Sequence, residues 1–198
     1  DPSGQPVTRP MLTAEEVRDS LLAGAGALNL EMHGPGVYPK LPEEVILTSS
    51  MNKNLAESGT WGASSPEQAA RRSIYVHVKR SLLMPVLTDF DLAETDASCP
   101  LRFSTTQPTQ ALGMLNSEFV HEQAARLAAR LRAEAPDAAG QVRRGFEIAT
   151  SRPARDEDVA RGLQFLDEMQ QQAGLSAEKA LDRFCLLLLN LNEFVYLD

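Results

Sequence analysis

The chain is poor in positive charge, in long apolar runs and in side chains that bind metals. Its 198 residues include 19 lysines and arginines against 27 aspartates and glutamates, which gives a formal net charge of −8. This balance argues against a nucleic-acid partner, because phosphate backbones are bound by a concentrated positive field. The longest apolar run, residues 184–191, is interrupted by Asn190 and reaches about half the length of a transmembrane helix. The sequence therefore predicts no transmembrane segment.

Cysteine and histidine are also scarce. The two cysteines, Cys99 and Cys185, are too few for a zinc site built from thiolates, and no C-x-x-C-H motif is present to attach a haem. The three histidines fall in separate elements without a second ligand at metal-binding spacing. We therefore expect no metal and no cofactor in this chain. Cys185 is expected to be a small buried hydrophobe, and a disulfide with Cys99 is the alternative if the protein is exported.

Apolar periodicity predicts a mainly helical fold. Thr13 and Glu16 have the spacing of a capping box that opens a first helix, and Ser65-Pro66 is typical of another helix start. Ser176 is expected to cap the last helix, which carries a heavily apolar face. Further helices are predicted over residues 108–115 and 118–134, before Pro153, and from Val159 to a stop at Gly174.

Two segments lack the apolar periodicity of a helix. Residues 31–64 are rich in glycine and proline and predict a long irregular loop, with Trp61 as the anchor that packs it onto the body. Ile74, Val76 and Val78 alternate with polar residues, which predicts a strand paired with residues 86–92, and a continued helix is the alternative. Residues 1–10 are expected to be a flexible lead-in, and residues 11–198 to form a single mainly helical domain with this small two-stranded element.

The densest group of polar side chains lies between Phe90 and Val120. Thr105, Thr106 or Gln107 can cap the helix that Pro108 enters, and Arg102 lies upstream of a helix N-terminus that attracts anions. The alternative is a structural network, in which Arg102 pairs with Asp89 or Asp91 and Asn116 helps to cap the next helix. The complete set of candidate residues is Arg71, Arg72, Asp89, Asp91, Arg102, Thr105, Thr106, Gln110 and Asn116.

Several carboxylates cluster just before Cys99. Asp89, Asp91, Glu94 and Asp96 lack the alternating spacing and the glycine of a calcium loop, so a solvated acidic loop is expected. An acid–base pair among them is the catalytic alternative.

The order of these motifs resembles the planctomycete surface domain, the C-terminal domain of planctomycete cytochrome-type proteins. The resemblance covers about residues 8–198, and the family usually has glycine at the position of His33. It rests on Glu15-Glu16-Val17-Arg18-Asp19, Met32-His33-Gly34-Pro35-Gly36, Arg71-Arg72-Ser73-Ile74-Tyr75, the stretch from Phe90 to Val120, Arg143-Arg144 with Arg152-Pro153, and Leu188-Leu189-Asn190-Leu191-Asn192.

The resemblance implies the C-terminal part of a larger exported protein, located in the periplasm or at the cell surface. It implies a companion domain in the same polypeptide and a haem in a separate c-type cytochrome domain. It supplies no catalytic residues, because none are established for the family.

We therefore expect a non-catalytic interaction module that docks onto its companion domain around Arg71, Arg72, Arg102 and Gln110. An exposed apolar patch beside these residues would favour this hypothesis. The alternative is a hydrolase acting on polysaccharide or sulfated carbohydrate, with an acid–base pair among the clustered aspartates and with Arg102 binding an anion. A third hypothesis is a partner that only positions a haem domain for electron transfer.

Overall fold

A computed structural model describes residues 10–50, 61–80, 82–93, 102 and 105–197, without the side chains of residues 48–50. The fold is mainly helical, as predicted. Its helices are α1 (Ala14–Gly24), α2 (Glu43–Ser50), α3 (Pro66–Ala69), a 3₁₀ turn (Ser73–Tyr75), α4 (Pro85–Asp89), α5 (Pro108–Asn116), α6 (Glu118–Glu134), α7 (Ala138–Thr150), α8 (Asp156–Gln171), α9 (Ala177–Leu189) and α10 (Asn192–Val195).

The main core lies among the four long helices α6 to α9. Helix α9 packs chiefly against α6 and also against α7 and α8. Its Phe184 and Leu188 are buried. Both side chains lie close to Gly145 of α7, as does Leu131 of α6, and Phe184 also lies close to Gly162 of α8. A Cβ atom on Gly145 would lie 2.7 Å from Leu188 Cδ1, so the glycine permits the close approach of α7 to α9.

The N-terminal part packs on this core through α1. The predicted capping box is present: the Thr13 backbone N–H donates to Glu16 Oε2 at 2.8 Å, and the Glu16 N–H donates to Thr13 Oγ1 at 3.4 Å. Helix α1 contacts the 3₁₀ turn, α4 and α6. The two ends of the described chain meet, because Leu12 donates to the carbonyl of Val195 at 2.9 Å and Met11 forms a bridge with Tyr196.

The predicted two-stranded element is wrong for the segments that were expected to form it. Residues 73–75 are a 3₁₀ turn, Val76 forms a single β-bridge with Val37, and the expected partner segment, residues 86–92, overlaps helix α4. The alternation of Ile74, Val76 and Val78 did not reflect one buried face of a strand. Ile74 is 77% exposed, and Val76 is the member of this set that is buried. Pro85 presets the backbone angle of a first helical turn, which favours a helix where a strand was expected.

The predicted loop over residues 31–64 contains helix α2. Residues 51–60 of this loop lie outside the described part of the chain. Trp61 anchors the segment as predicted. Its indole Nε1–H donates to the carbonyl of Pro39 at 2.9 Å, and its ring packs edge-on against Tyr38 with centroids 5.5 Å apart and also against His77.

Candidate functional site

Arg71 is a buried arginine that ties the glycine-proline loop to the body. Its side chain is 1% exposed. The guanidinium donates to the carbonyl of Glu31 at 3.1 Å, to that of Pro35 at 3.2 Å and to that of His33, and it stacks over the Tyr75 ring at 3.8 Å. Because one buried guanidinium binds three carbonyls of the same loop, Arg71 holds the loop in one conformation.

Arg18 of α1 is a second fully buried arginine beside the first. It donates to the carbonyl of Arg71 at 3.0 Å, to Ser73 Oγ at 3.1 Å and to the carbonyl of Ala69 at 2.6 Å. Burial lowers its pKa to about 10, so the side chain remains charged at neutral pH. The neighbouring Asp19 accepts from both the backbone N–H and the hydroxyl of Ser73 at 2.7 Å. These contacts join α1 to the 3₁₀ turn.

Sequence reasoning missed Arg18 and Asp19 as members of the polar network, although both belong to the first helical motif. A signal was present, because Arg18 lies three and four residues before Leu21 and Leu22 and therefore shares their buried helical face. The predicted member Arg72 is exposed and donates to Asp19 Oδ2 at 3.3 Å. It lies at the rim of the network, whereas Arg71 lies inside it.

Arg102 pairs with Glu15 of α1, which corrects the predicted pairing with Asp89 or Asp91. Its Nη1 and Nη2 each lie 2.9 Å from one carboxylate oxygen of Glu15. Sequence reasoning missed this partner because 87 residues separate the two positions. Burial acts to raise the pKa of Glu15, but hydrogen bonding and charge from Arg102 outweigh it and the pKa is lowered.

Asp91 and Gln110 organise the turn that leads into α5. Asp91 has a left-handed backbone conformation (φ 57°), and its Oδ2 accepts from the backbone N–H of Thr105 at 2.7 Å. The Thr105 hydroxyl donates to the same carboxylate at 2.9 Å. Gln110 is buried, accepts from the N–H of Gln107 at 3.1 Å and donates to the carbonyl of Thr105 at 2.7 Å. In this part of the predicted network, the polar side chains hold the turn in place through hydrogen bonds to one another and to the backbone.

The remaining candidate residues are dispersed. Thr106 is exposed, and Asn116 is exposed at the end of α5 without a capping bond to α6. Asp89 is half-buried at the end of α4, and its carboxylate lies against Gly113 where a Cβ atom would overlap with it. Burial raises the pKa of Asp89. Asp96 lies outside the described residues, so the structure does not test the aspartate cluster as a whole.

Cys185 is a free, buried thiol in α9, and burial raises its pKa far above the usual range. Cys99, its predicted disulfide partner, lies outside the described residues. Within the described ranges, no three His, Cys, Asp or Glu side chains group closely enough to hold a metal ion. Nor is any described helix both long and apolar enough to cross a membrane.

Comparison with known protein families identifies the family of this chain. The model of PSD1, described as a protein of unknown function (DUF1553), matches residues 5–166. The chain belongs to the DUF1553 family. No curated protein and no solved structure matches it.

The DUF1553 match contains both buried arginines, their partners and the turn around Asp91. It ends within α8, so α9 and α10 lie beyond the matched residues. In this DUF1553 chain, helix α9 nevertheless supplies a deeply buried face of the core, including Phe184, Leu188 and Leu189.

Proposed function

We propose that this chain is a non-catalytic interaction module of an exported protein that also carries a c-type cytochrome domain. The resemblance to the planctomycete surface domain supports this context, with the companion domain of the same polypeptide as the partner. The haem belongs to the cytochrome domain and not to this chain.

The observation that carries the proposal is an apolar group beside the buried arginine. Leu30 is 69% exposed and Met32 is 61% exposed, and they flank Glu31, whose carbonyl binds Arg71. Ile74 is exposed on the adjoining 3₁₀ turn. Large apolar side chains held at the surface by a rigid polar scaffold favour a protein partner, because their burial stabilises a complex. We call Leu30, Met32 and Ile74 the apolar patch.

The docking surface proposed here differs from the one expected from the sequence. Arg71 is buried and supports the loop beside the apolar patch, whereas Gln110 is buried in the turn before α5 and Arg102 is held by Glu15. The hydrolase alternative is less favoured, because the groups that it needs already have partners within the chain. The carboxylate of Asp91 binds Thr105, and Arg102 is paired with Glu15.

Hydrogen–deuterium exchange of the longer polypeptide, with and without its companion domain, tests the proposal. We expect the companion domain to protect residues 29–38 and 72–78, while helix α6 exchanges equally in both proteins and reports intact folding. Ile74→Ser should remove this protection, and Leu112→Ser, which changes an exposed leucine on α5, should not. Equal exchange of the patch residues with and without the companion domain would contradict the proposal.

A further inference from the structure

Met32 combines an exposed side chain with a hydrogen-bond donor at its sulfur. It is 61% exposed, whereas the other methionines that the structure describes are buried or pack partly buried against the core. These are Met11, Met84, Met114 and Met169. A thioether sulfur that solvent reaches is oxidised to a sulfoxide by peroxides, and burial protects a sulfur from them. Of the described methionines, Met32 is therefore the most open to this modification.

Tyr75 contacts the Met32 sulfur from one side. Its hydroxyl donates to Met32 Sδ at 3.9 Å and accepts from the backbone N–H of His33 at 2.8 Å. The Arg71 guanidinium lies over the same ring, 3.8 Å from the ring centroid. The Tyr75 hydroxyl is therefore held in place by the loop backbone and by the stacked guanidinium, and its proton is directed at the sulfur.

A hydrogen bond to the sulfur makes the two faces of the thioether unequal. The sulfur carries two lone pairs, and oxidation at one or the other gives sulfoxides of opposite chirality. The Tyr75 O–H occupies one lone pair of Met32, which leaves the second for reaction with an oxidant from solvent. Oxidation of the native protein should therefore produce one sulfoxide epimer in excess.

We propose that Met32 is an oxidation site through which hydrogen peroxide lowers the affinity of the apolar patch for the companion domain. The sulfur attacks one peroxide oxygen, so that an S–O bond forms while the O–O bond breaks. The departing hydroxide takes the proton of the transferred hydroxyl and leaves as water. The sulfur is oxidised by two electrons and the peroxide is reduced by two.

The sulfoxide changes the chemistry of the patch. It is polar, so its burial against an apolar partner surface costs free energy unless a donor pairs with it there. The effect on docking rests on the function proposed above, whereas the oxidation and its stereochemistry do not.

Mass spectrometry of the peroxide-treated chain tests the oxidation itself. The assay uses a Met51→Leu background, because Met51 lies outside the described residues. We expect Met32 to be converted about tenfold faster than Met84 or Met114, since a buried sulfur reacts only after local opening. Denaturant should abolish this difference. Equal rates at Met32 and Met84 in the folded chain would overturn the proposal.

The epimer ratio at Met32 tests Tyr75 as a positioning residue. After proteolysis of the oxidised chain, two sulfoxide reductases, each specific for one epimer, measure the ratio. We expect about twofold excess of one epimer, because a single weak hydrogen bond distinguishes the faces. Tyr75→Phe should bring the ratio close to one, and Tyr38→Phe, which changes a tyrosine packed on Trp61, should not. Equal epimers in the unsubstituted chain, or an excess that persists in Tyr75→Phe, would refute this role.

Hydrogen–deuterium exchange of the longer polypeptide before and after peroxide treatment tests the effect on docking. We expect oxidation to reduce the protection of residues 29–38 by the companion domain several-fold, and sulfoxide reductases to restore it. Met32→Leu keeps an apolar side chain without an oxidisable sulfur, so its protection should survive peroxide. Absence of protection before treatment would contradict the function proposed above. Protection that is present before treatment and persists once Met32 is oxidised would overturn this inference alone.

Discussion

The N-terminal region and the four-helix core are each stabilised by a different kind of interaction. Around α1, two buried arginines use charge-assisted hydrogen bonds to backbone carbonyls to connect a helix, a loop and a 3₁₀ turn. Helices α6 to α9 instead bury an apolar face in which glycines allow close contact. A loop rich in glycine and proline can thus be ordered by hydrogen bonds from a buried side chain to its backbone carbonyls.

Among the substitutions considered, replacing Arg71 should lower the free energy of unfolding the most. Arg71→Met leaves the carbonyls of Glu31, His33 and Pro35 without their donor, and we expect a loss of roughly 3–5 kcal/mol in the free energy of unfolding. Chemical denaturation measures it. Arg72→Met, a change of the exposed neighbour, is the control and should cost less than about 0.5 kcal/mol. Similar losses in the two variants would contradict the role assigned to Arg71.

Crowding the helical core should have the next largest effect. A Cβ atom on Gly162 would overlap with Val142 and lie 3.2 Å from Phe184, so Gly162→Ala is expected to destabilise the fold by about 1–3 kcal/mol. Gly24→Ala is the matched control, because its nearest side-chain atom would be at an ordinary 3.7 Å. Thermal unfolding of both variants makes the comparison. A stable Gly162→Ala protein would show that this core is looser than its geometry indicates.

An ion cluster at the start of α8 should contribute less than the apolar core around it. Hydrogen bonds from Arg155 and Arg152 lower the pKa of Asp158 to about 2. A depressed carboxyl pKa stabilises the folded state above the unfolded value near 4, and this contribution disappears as the pH falls through about 2.

We therefore expect Asp158→Asn to cost roughly 1–2 kcal/mol at neutral pH and almost nothing near pH 2. Denaturation across this pH range gives the difference. Asp167→Asn, at an exposed position of the same helix, is the control. A constant cost from neutral to acidic pH would contradict the charge-based explanation.

The smallest expected effect is a gain in stability. His33 has φ 67°, a left-handed conformation that carries a penalty for residues with a Cβ atom. His33→Gly should relieve this strain and stabilise the protein by about 0.5 kcal/mol, partly offset by the entropy of glycine in the unfolded chain. The same substitution at His121, which lies in α6, should destabilise. Loss of stability in His33→Gly would show that the side chain contributes contacts that outweigh the strain.

Local patterns were sufficient for the helices but not for the polar contacts. The start of α1, the bounds of α6 and the cap at Ser176 follow from capping residues and apolar periodicity within a few positions of each other. The pairing of Arg102 with Glu15 does not, because nothing local specifies a partner in another helix. The strand expected around Val76 failed for the same reason, since contacts from α1 satisfy the backbone of the neighbouring turn.

By itself, the sequence determined the helical class, the bounds of α5 and α6, the starts of α1, α3 and α9, and membership of the DUF1553 family. It also identified Arg71, Asp91, Thr105 and Gln110 as parts of polar networks. Only the tertiary structure decided that Arg18 and Arg71 are buried side by side and that Leu30, Met32 and Ile74 remain exposed. The physical reason is that periodicity is a property of neighbours along the chain, whereas burial and pairing depend on which distant elements pack together.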